Sequence, residues 1–116
     1  MKKIISLFVC LLILCACSSG YKTIDSNYAM DLINNNAIVI DVRSSEEYNT
    51  GHIEDSINIP VDSISTVTYD KDATIIVYCA SGVRSANAAK TLISLGYTNV
   101  YNLDGGLINW GFPLED

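Results

Sequence analysis

The sequence has little positive charge. Its 116 residues include seven Lys and Arg against thirteen Asp and Glu, which gives a formal net charge of -6 and a pI near 4.5. The only basic cluster is Lys2-Lys3. Proteins bind nucleic acid through Lys and Arg side chains that neutralise phosphates, so the composition argues against a nucleic-acid partner. The hydrophobic fraction of 49% indicates a globular chain, and the length suits one domain.

Cysteine and histidine are scarce in the part of the chain that is expected to fold. Three of the four cysteines, Cys10, Cys15 and Cys17, lie within the first seventeen residues, and Cys79 is the only other one. This distribution excludes a disulfide framework in the globular part. His52 is the single histidine and no second cysteine lies near Cys79, so the sequence argues against a metal site of Cys and His ligands. We expect no metal and no other cofactor.

No hydrophobic run reaches the roughly 20 residues that span a bilayer. Lys2-Lys3 precede an apolar run of thirteen residues, which is typical of a signal peptide. The run leads into Leu14-Cys15-Ala16-Cys17, which resembles the lipobox of bacterial lipoproteins. The resemblance implies a signal peptide over residues 1–16, a diacylglycerol on Cys17, and export with anchoring to a bacterial membrane. An uncleaved anchor and an ordinary secretory signal are the alternatives.

After such processing, residues 17–22 would form a short polar linker and residues 23–116 the domain. The mature chain would then hold one free thiol, that of Cys79, and five basic residues against thirteen acidic ones.

Apolar runs rich in β-branched residues alternate with segments of helical spacing. The run over residues 37–42 is continuous, which favours a strand covered on both faces, as in a parallel sheet. The predicted strands are 23–24, 37–43, 56–60, 75–78 and 99–103. Helical segments are predicted over residues 26–33, 44–48, 61–67, 85–95 and 105–110. Ser26 is the predicted N-cap of the first of them. This order predicts an α/β fold with a central parallel sheet flanked by helices.

The stretch with the clearest chemical signature surrounds Cys79. A predicted strand leads into this cysteine, and a loop of small residues that ends at Arg84 precedes a helix. The N–H groups of such a loop and of a helix N-terminus converge on one point and can hold an anion. Together with the Arg84 guanidinium they are expected to lower the pKa of Cys79 and favour the nucleophilic thiolate. The alternative is a buried, unreactive cysteine at the end of a core strand.

Six motifs, in one order over about residues 23–114, resemble a single rhodanese domain. They are Ile40-Asp41-Val42-Arg43; Glu47-Tyr48 with Gly51-His52-Ile53; Ser56-Ile57-Asn58-Ile59-Pro60; Val77-Tyr78-Cys79-Ala80-Ser81-Gly82-Val83-Arg84-Ser85; Leu95-Gly96-Tyr97; and Leu103-Asp104-Gly105-Gly106 with Trp110. The resemblance implies a parallel sheet with the active-site loop at the carboxyl ends of its strands. It also implies that Cys79 is catalytic, accepting a sulfane sulfur to form a persulfide that an acceptor then discharges.

The resemblance further assigns roles to residues around Cys79. It implies that the loop binds the substrate through Ala80, Ser81, Gly82, Val83, Arg84 and Ser85. Asp41 and Arg43 match a pair that usually supports the fold near the site; otherwise they would form a surface ion pair of little energetic value. His52 lies in a turn that family members share as a packing element, which favours a structural role over that of a general base.

The predicted activity is that of a sulfurtransferase, with a small sulfur-containing anion or thiol as partner and a protein acceptor left open. Ala80 and Ser81 stand where extra cationic residues often occur in sulfurtransferases that act on thiosulfate. The sequence therefore does not identify the sulfur donor. A second reading is a phosphatase or arsenate reductase, but these use a C-x5-R loop and the spacing here is C-x4-R. A third reading is a non-catalytic anchored module that binds a partner or senses redox state.

Overall fold

The computed structural model describes residues 20–116. The predicted signal peptide, Cys17 and the start of the linker lie outside these residues. The elements in chain order are β1 (Lys22–Ile24), α1 (Ser26–Asn34), β2 (Ile38–Asp41), α2 (Ser45–Asn49), β3 (Ile57–Asn58), a first 3₁₀ helix (Val61–Thr66), β4 (Ile75–Tyr78), α3 (Val83–Ser94), β5 (Val100–Leu103) and a second 3₁₀ helix (Gly106–Asn109). Within this range no helix is both long and apolar enough to cross a membrane.

The five strands form one parallel sheet in the order β1-β5-β4-β2-β3, which confirms the predicted fold class. The edge strand β1 pairs with β5 through Lys22 opposite Tyr101, so it begins one residue earlier than predicted.

The connection from β4 leads to β5 on one side, whereas that from β2 leads to β3 on the other. Ligands of open α/β sheets bind at the carboxyl ends of strands where the connections diverge in this way. That position lies between β2 and β4.

Side chains of β4 alternate between two cores because successive residues of a strand point to opposite faces. Ile75, Val77 and Cys79 join the core under α3, together with its Ala88, Ala89 and Leu92. Ile76 and Tyr78 join the core on the other face, where Ala29 of α1 packs. All four residues of β4 are buried. Burying one such aliphatic side chain contributes about 1.5–3 kcal/mol, so packing on both faces fixes the central strand.

Two helix starts differ from the prediction. The N-cap of α1 is Asp25, not Ser26, because the Asp25 carboxylate accepts a hydrogen bond of 2.8 Å from the Tyr28 N–H. The helix α3 begins at Val83, two residues before the predicted Ser85. Gly82 has a φ of +103°, a value that a side chain disfavours, and it turns the chain from the loop directly into the helix. The loop after Cys79 is therefore shorter than the sequence suggested.

Candidate active site

Cys79 follows directly after β4, at the carboxyl edge of the sheet. Its thiol receives hydrogen bonds from the Gly82 N–H at 3.1 Å and from the Ser85 N–H at 3.4 Å. The Ser85 hydroxyl also lies 3.4 Å from the sulfur. Cys79 is 1% exposed and Ser85 is fully buried, so these contacts are shielded from water. The turn into α3 thus places two backbone donors and one hydroxyl on a single sulfur atom.

The environment of Cys79 favours the thiolate. Burial alone raises the pKa of the Cys79 thiol, but hydrogen bonds from the Ser85 hydroxyl and from the N–H groups of Ser85, Gly82 and Ser81 outweigh it. The net effect is a pKa below the ordinary cysteine value. Thiolate is the nucleophilic form, so the site is arranged for attack on an electrophile. A catalytic role for Cys79 remains a prediction, which the lowered pKa supports.

The second 3₁₀ helix is hydrogen-bonded to the backbone of the Cys79 loop. The Leu107 N–H donates to the Cys79 carbonyl at 3.0 Å, and the Ile108 N–H donates to the Ala80 carbonyl at 3.1 Å. Gly106 allows this approach, because a Cβ there would overlap the Cys79 carbonyl oxygen and lie 2.7 Å from the Ala80 carbonyl carbon. The sequence indicated a tight turn at Gly105-Gly106 but not its contact with the Cys79 loop.

Arg84 forms no hydrogen bond with the Cys79 sulfur, so its expected contribution to the thiolate is coulombic only. Its Nη1 and Nη2 donate to the two carboxylate oxygens of Glu47 at 2.8 and 3.0 Å. Hydrogen bonds from Arg84 and Ser44 lower the pKa of Glu47 to about 2. Sequence reasoning missed Glu47, although the spacing Ser44 to Glu47 is a capping-box signal at the start of α2. The loop therefore faces solvent beside a guanidinium that is already paired.

Asp41 and Arg43 lie on the neighbouring strand end and are buried, so they are not a surface ion pair. The Arg43 Nη2 donates to Asp41 Oδ2 at 2.7 Å and to the Gly51 carbonyl at 2.7 Å. The Asn58 side-chain amide donates to the carbonyls of Asp41 and Arg43. This network ties the end of β2 to β3 and to the turn at Gly51. Neither side chain makes a hydrogen bond to the Cys79 loop, and a supporting role remains the prediction for both.

His52 is engaged away from the sulfur. Its ring stacks on Tyr48 with centroids 3.7 Å apart, its Nδ1 donates to the Tyr48 carbonyl at 2.9 Å, and its Nε2 faces Glu115 at 3.5 Å. The backbones of His52 and Glu115 also exchange hydrogen bonds. Both ring nitrogens therefore have partners outside the Cys79 loop, an arrangement that suits a structural histidine.

The remaining loop residues line the approach to the thiol. Ser81 is exposed, Ala80 and Gly82 are half-buried, and the Val83 side chain is 68% exposed. The N–H groups of Val83 and Arg84, at the first turn of α3, have no hydrogen-bond acceptor among the described residues. Unpaired N–H groups at a helix start are able to hold an anion. The binding roles predicted for the six residues from Ala80 to Ser85 remain predictions.

A separate cavity of about 390 Å³ lies against α1. It is lined by Met30, Ile33, Asn34, Ile53, Glu54, Asp55, Trp110, Phe112 and Pro113. None of these residues belongs to the Cys79 loop, and the lining offers two carboxylates but no thiol or hydroxyl group. The Cys79 loop and this cavity are therefore distinct features of the structure.

Comparison with known proteins identifies the family. The sequence model of the Rhodanese-like domain matches residues 25–111, which is most of the chain. A solved rhodanese-related protein from Thermoplasma volcanium superposes with a TM-score of 0.73 at 32% identity, over 82% of this chain and 98% of that one. The human single-domain sulfurtransferase gives a TM-score of 0.72 at 26% identity, over 78% and 96%. The chain belongs to the rhodanese-like domain family.

Curated relatives share the domain but are longer. A tRNA uridine(34) hydroxylase of Erwinia tasmaniensis is 33% identical over 82 residues, which are 64% of this chain and 23% of that protein. The chain thus spans about a quarter of the length of the curated relatives it matches.

Proposed function

We propose that this rhodanese-like chain is a sulfurtransferase that moves a sulfane sulfur through a persulfide on Cys79. The observation that carries the proposal is the Cys79 sulfur, which accepts hydrogen bonds from Gly82 and Ser85 at the start of α3. These donors stabilise a negative sulfur, and they would serve the terminal sulfur of a persulfide in the same way. The likeness to the human single-domain sulfurtransferase supports the same reaction class.

The reaction would proceed in two steps. The Cys79 thiolate attacks the outer sulfur of a donor such as thiosulfate, polysulfide or a thiol persulfide. The sulfur–sulfur bond of the donor breaks, its electron pair leaves with the remainder of the donor, and a Cys79 persulfide anion forms. A thiophilic acceptor, such as cyanide or a thiol, then takes the outer sulfur and restores the Cys79 thiolate. No cofactor takes part in this cycle.

Mass spectrometry of the full chain tests the proposal directly. After incubation with thiosulfate, polysulfide or a thiol persulfide, the Cys79 peptide should gain one sulfur atom, and cyanide should remove it. Cys79→Ser is the matched control, because a serine hydroxyl is neither a thiolate nor able to hold a sulfane sulfur. It should show no gain on that peptide, whatever happens at other cysteines. A folded, reduced wild-type chain with no adduct from any donor would favour the non-catalytic binding or redox-sensing module.

We also propose that the protein is exported and anchored to a bacterial membrane by lipid on Cys17. The support is the sequence Leu14-Cys15-Ala16-Cys17 after an apolar run. The Cys17→Ala variant should lose palmitate labelling and leave the membrane fraction or mislocalise. The Cys15→Ala variant is the control and should still be labelled and anchored. Unchanged labelling and fractionation of Cys17→Ala would contradict the anchor.

A further inference from the structure

In the described part of the chain, the guanidinium beside the Cys79 loop is already paired. Arg84 forms two parallel hydrogen bonds with Glu47, and its side chain is 40% exposed while that of Glu47 is 37% exposed. The other described arginine, Arg43, is buried against Asp41. Among the described residues no lysine forms an ion pair or hydrogen bond with the loop. The cationic charge at the site is therefore balanced by one carboxylate.

Glu47 is held in place independently of Arg84. The Ser44 N–H and hydroxyl each donate to Glu47 Oε1 at 3.1 Å, and the Glu47 N–H donates to the Ser44 hydroxyl at 3.2 Å. This capping box fixes the carboxylate at the N-terminus of α2, where a negative charge is favoured. An incoming anion that approached Arg84 would have to compete with a carboxylate that is already oriented. Glu47 is thus a fixed counter-ion of the loop.

We propose that Glu47 is a specificity-determining residue: by neutralising Arg84, it reduces the preference of the Cys79 loop for doubly charged sulfur donors. The inference rests on the proposed sulfur-transfer function. Glu47 does not touch the reacting sulfur, so it acts through Arg84. The backbone donors at the start of α3 suit one negative charge, and a second charge on the donor gains little from a paired guanidinium. The site is consequently suited to singly charged donors, such as thiosulfonates.

Two donors of nearly the same shape isolate this effect. Thiosulfate carries two negative charges, whereas methanethiosulfonate has a methyl group in place of one oxygen and carries one. In both, the Cys79 thiolate attacks the outer sulfur and the same kind of bond breaks, with the electron pair leaving on sulfite or on methanesulfinate. A Cys79 persulfide forms in each case, and the total charge is conserved. Because the two leaving groups differ, the ratio of the two kcat/KM values is compared between variants.

The wild type and three variants differ in net charge beside the Cys79 loop. Relative to the wild type, Glu47→Gln adds one positive charge, Arg84→Ala adds one negative charge, and the double variant restores the balance. The ratio of kcat/KM for thiosulfate to kcat/KM for methanethiosulfonate should rise roughly three- to tenfold in Glu47→Gln, as expected for one unit charge at an exposed rim. It should fall by a similar factor in Arg84→Ala and return near the wild-type value in the double variant. The rise in Glu47→Gln should shrink at high salt.

The controls separate charge from folding. Gln at the third position of a helix also forms a capping box, so Glu47→Gln should keep the start of α2. Glu46→Gln removes the same charge from a neighbouring exposed residue that does not contact Arg84, and it should leave the ratio unchanged. An unchanged ratio in Glu47→Gln would overturn the inference, as would a double variant that matches Arg84→Ala. In either case wild-type adducts would still form, whereas failure of the proposed function would leave no adduct with either donor.

Discussion

The described residues form two arginine–carboxylate pairs near the carboxyl edge of the sheet, and the pairs differ mainly in their access to water. Arg43 and Asp41 follow β2, and their side chains are 7% and 0% exposed. Arg84 and Glu47 join α3 to α2, and theirs are 40% and 37% exposed. Each pair has short hydrogen bonds of 2.7–2.8 Å. Similar geometry thus occurs in two very different dielectric surroundings.

Because the two pairs differ in exposure, we expect them to have different roles. A buried charge that loses its partner is costly, because neither water nor another group replaces the lost contacts. An exposed pair contributes about 0–1 kcal/mol, because water solvates each partner when they separate. The Asp41–Arg43 pair therefore matters for the free energy of unfolding. The Glu47–Arg84 pair matters for the electrostatic potential that a donor meets at the Cys79 loop.

The largest expected effect comes from Asp41→Ala. This change leaves the buried Arg43 guanidinium with the Gly51 carbonyl as its only remaining hydrogen-bond acceptor among the described residues. The free energy of unfolding should fall by about 3–5 kcal/mol. For a domain of this size that lowers the Tm by roughly 15 °C or more. Thermal and urea unfolding measure the loss, and sulfur transfer per folded molecule should fall far less.

Two further variants make this result interpretable. Asp31→Ala alters an exposed aspartate on α1 and should change the Tm little. Asp41→Asn keeps the shape of the side chain, so it can be measured if Asp41→Ala does not fold, and it should lie between the wild type and Asp41→Ala. Normal stability with abolished transfer in Asp41→Ala would instead place Asp41 among the catalytic residues.

The sequence predicts most of the fold because its signals are local. The strand Ile75–Tyr78 has the predicted bounds, and the short helices after Pro60 and Gly105 occur where the apolar spacing and the glycines indicated them. The helical segment predicted over 44–48 also forms, as α2 with Ser44 as its N-cap. The sequence does not distinguish Asp25 from Ser26 as the N-cap of α1, since both are good N-caps and only the hydrogen bond from the Tyr28 N–H identifies Asp25.

The site could be predicted only in part because its key contacts are distant in sequence. Cys79 and its loop were visible as a strand-to-helix turn with a glycine. The partner of Arg84, however, lies 37 residues away, and the donors to the Cys79 and Ala80 carbonyls come from the second 3₁₀ helix. Spacing along the chain does not indicate which carboxylate meets a given guanidinium. The burial of Asp41 and Arg43 likewise depends on the packing of β3 and of the turn at Gly51.

A smaller effect on stability is expected from Arg84→Ala. Glu47 would remain in its capping box and become more solvated, so the free energy of unfolding should change by no more than about 1 kcal/mol. Formation of the Cys79 persulfide from thiosulfate should be slower but still measurable, because the N–H donors of the loop remain. The comparison with Asp41→Ala is made by urea unfolding of both variants and single-turnover sulfur transfer. A loss of stability as large as that of Asp41→Ala would show that exposure does not separate the two pairs.

The smallest expected effect is a pH dependence of the exposed pair. The pKa of Glu47 is about 2 in the folded chain, against an ordinary value of 4.5. The folded state therefore holds this proton less tightly than the unfolded state does. The stabilisation is fully present above about pH 4.5 and is lost as the pH falls towards 2.

The Tm difference between the wild type and Glu47→Gln isolates this contribution, because the other carboxylates titrate in both proteins. The wild type should be slightly more stable near neutral pH, and its advantage should shrink through the acid range and in high salt. A difference that stayed constant from neutral pH to pH 2 would show that ionisation of Glu47 is not what stabilises the pair.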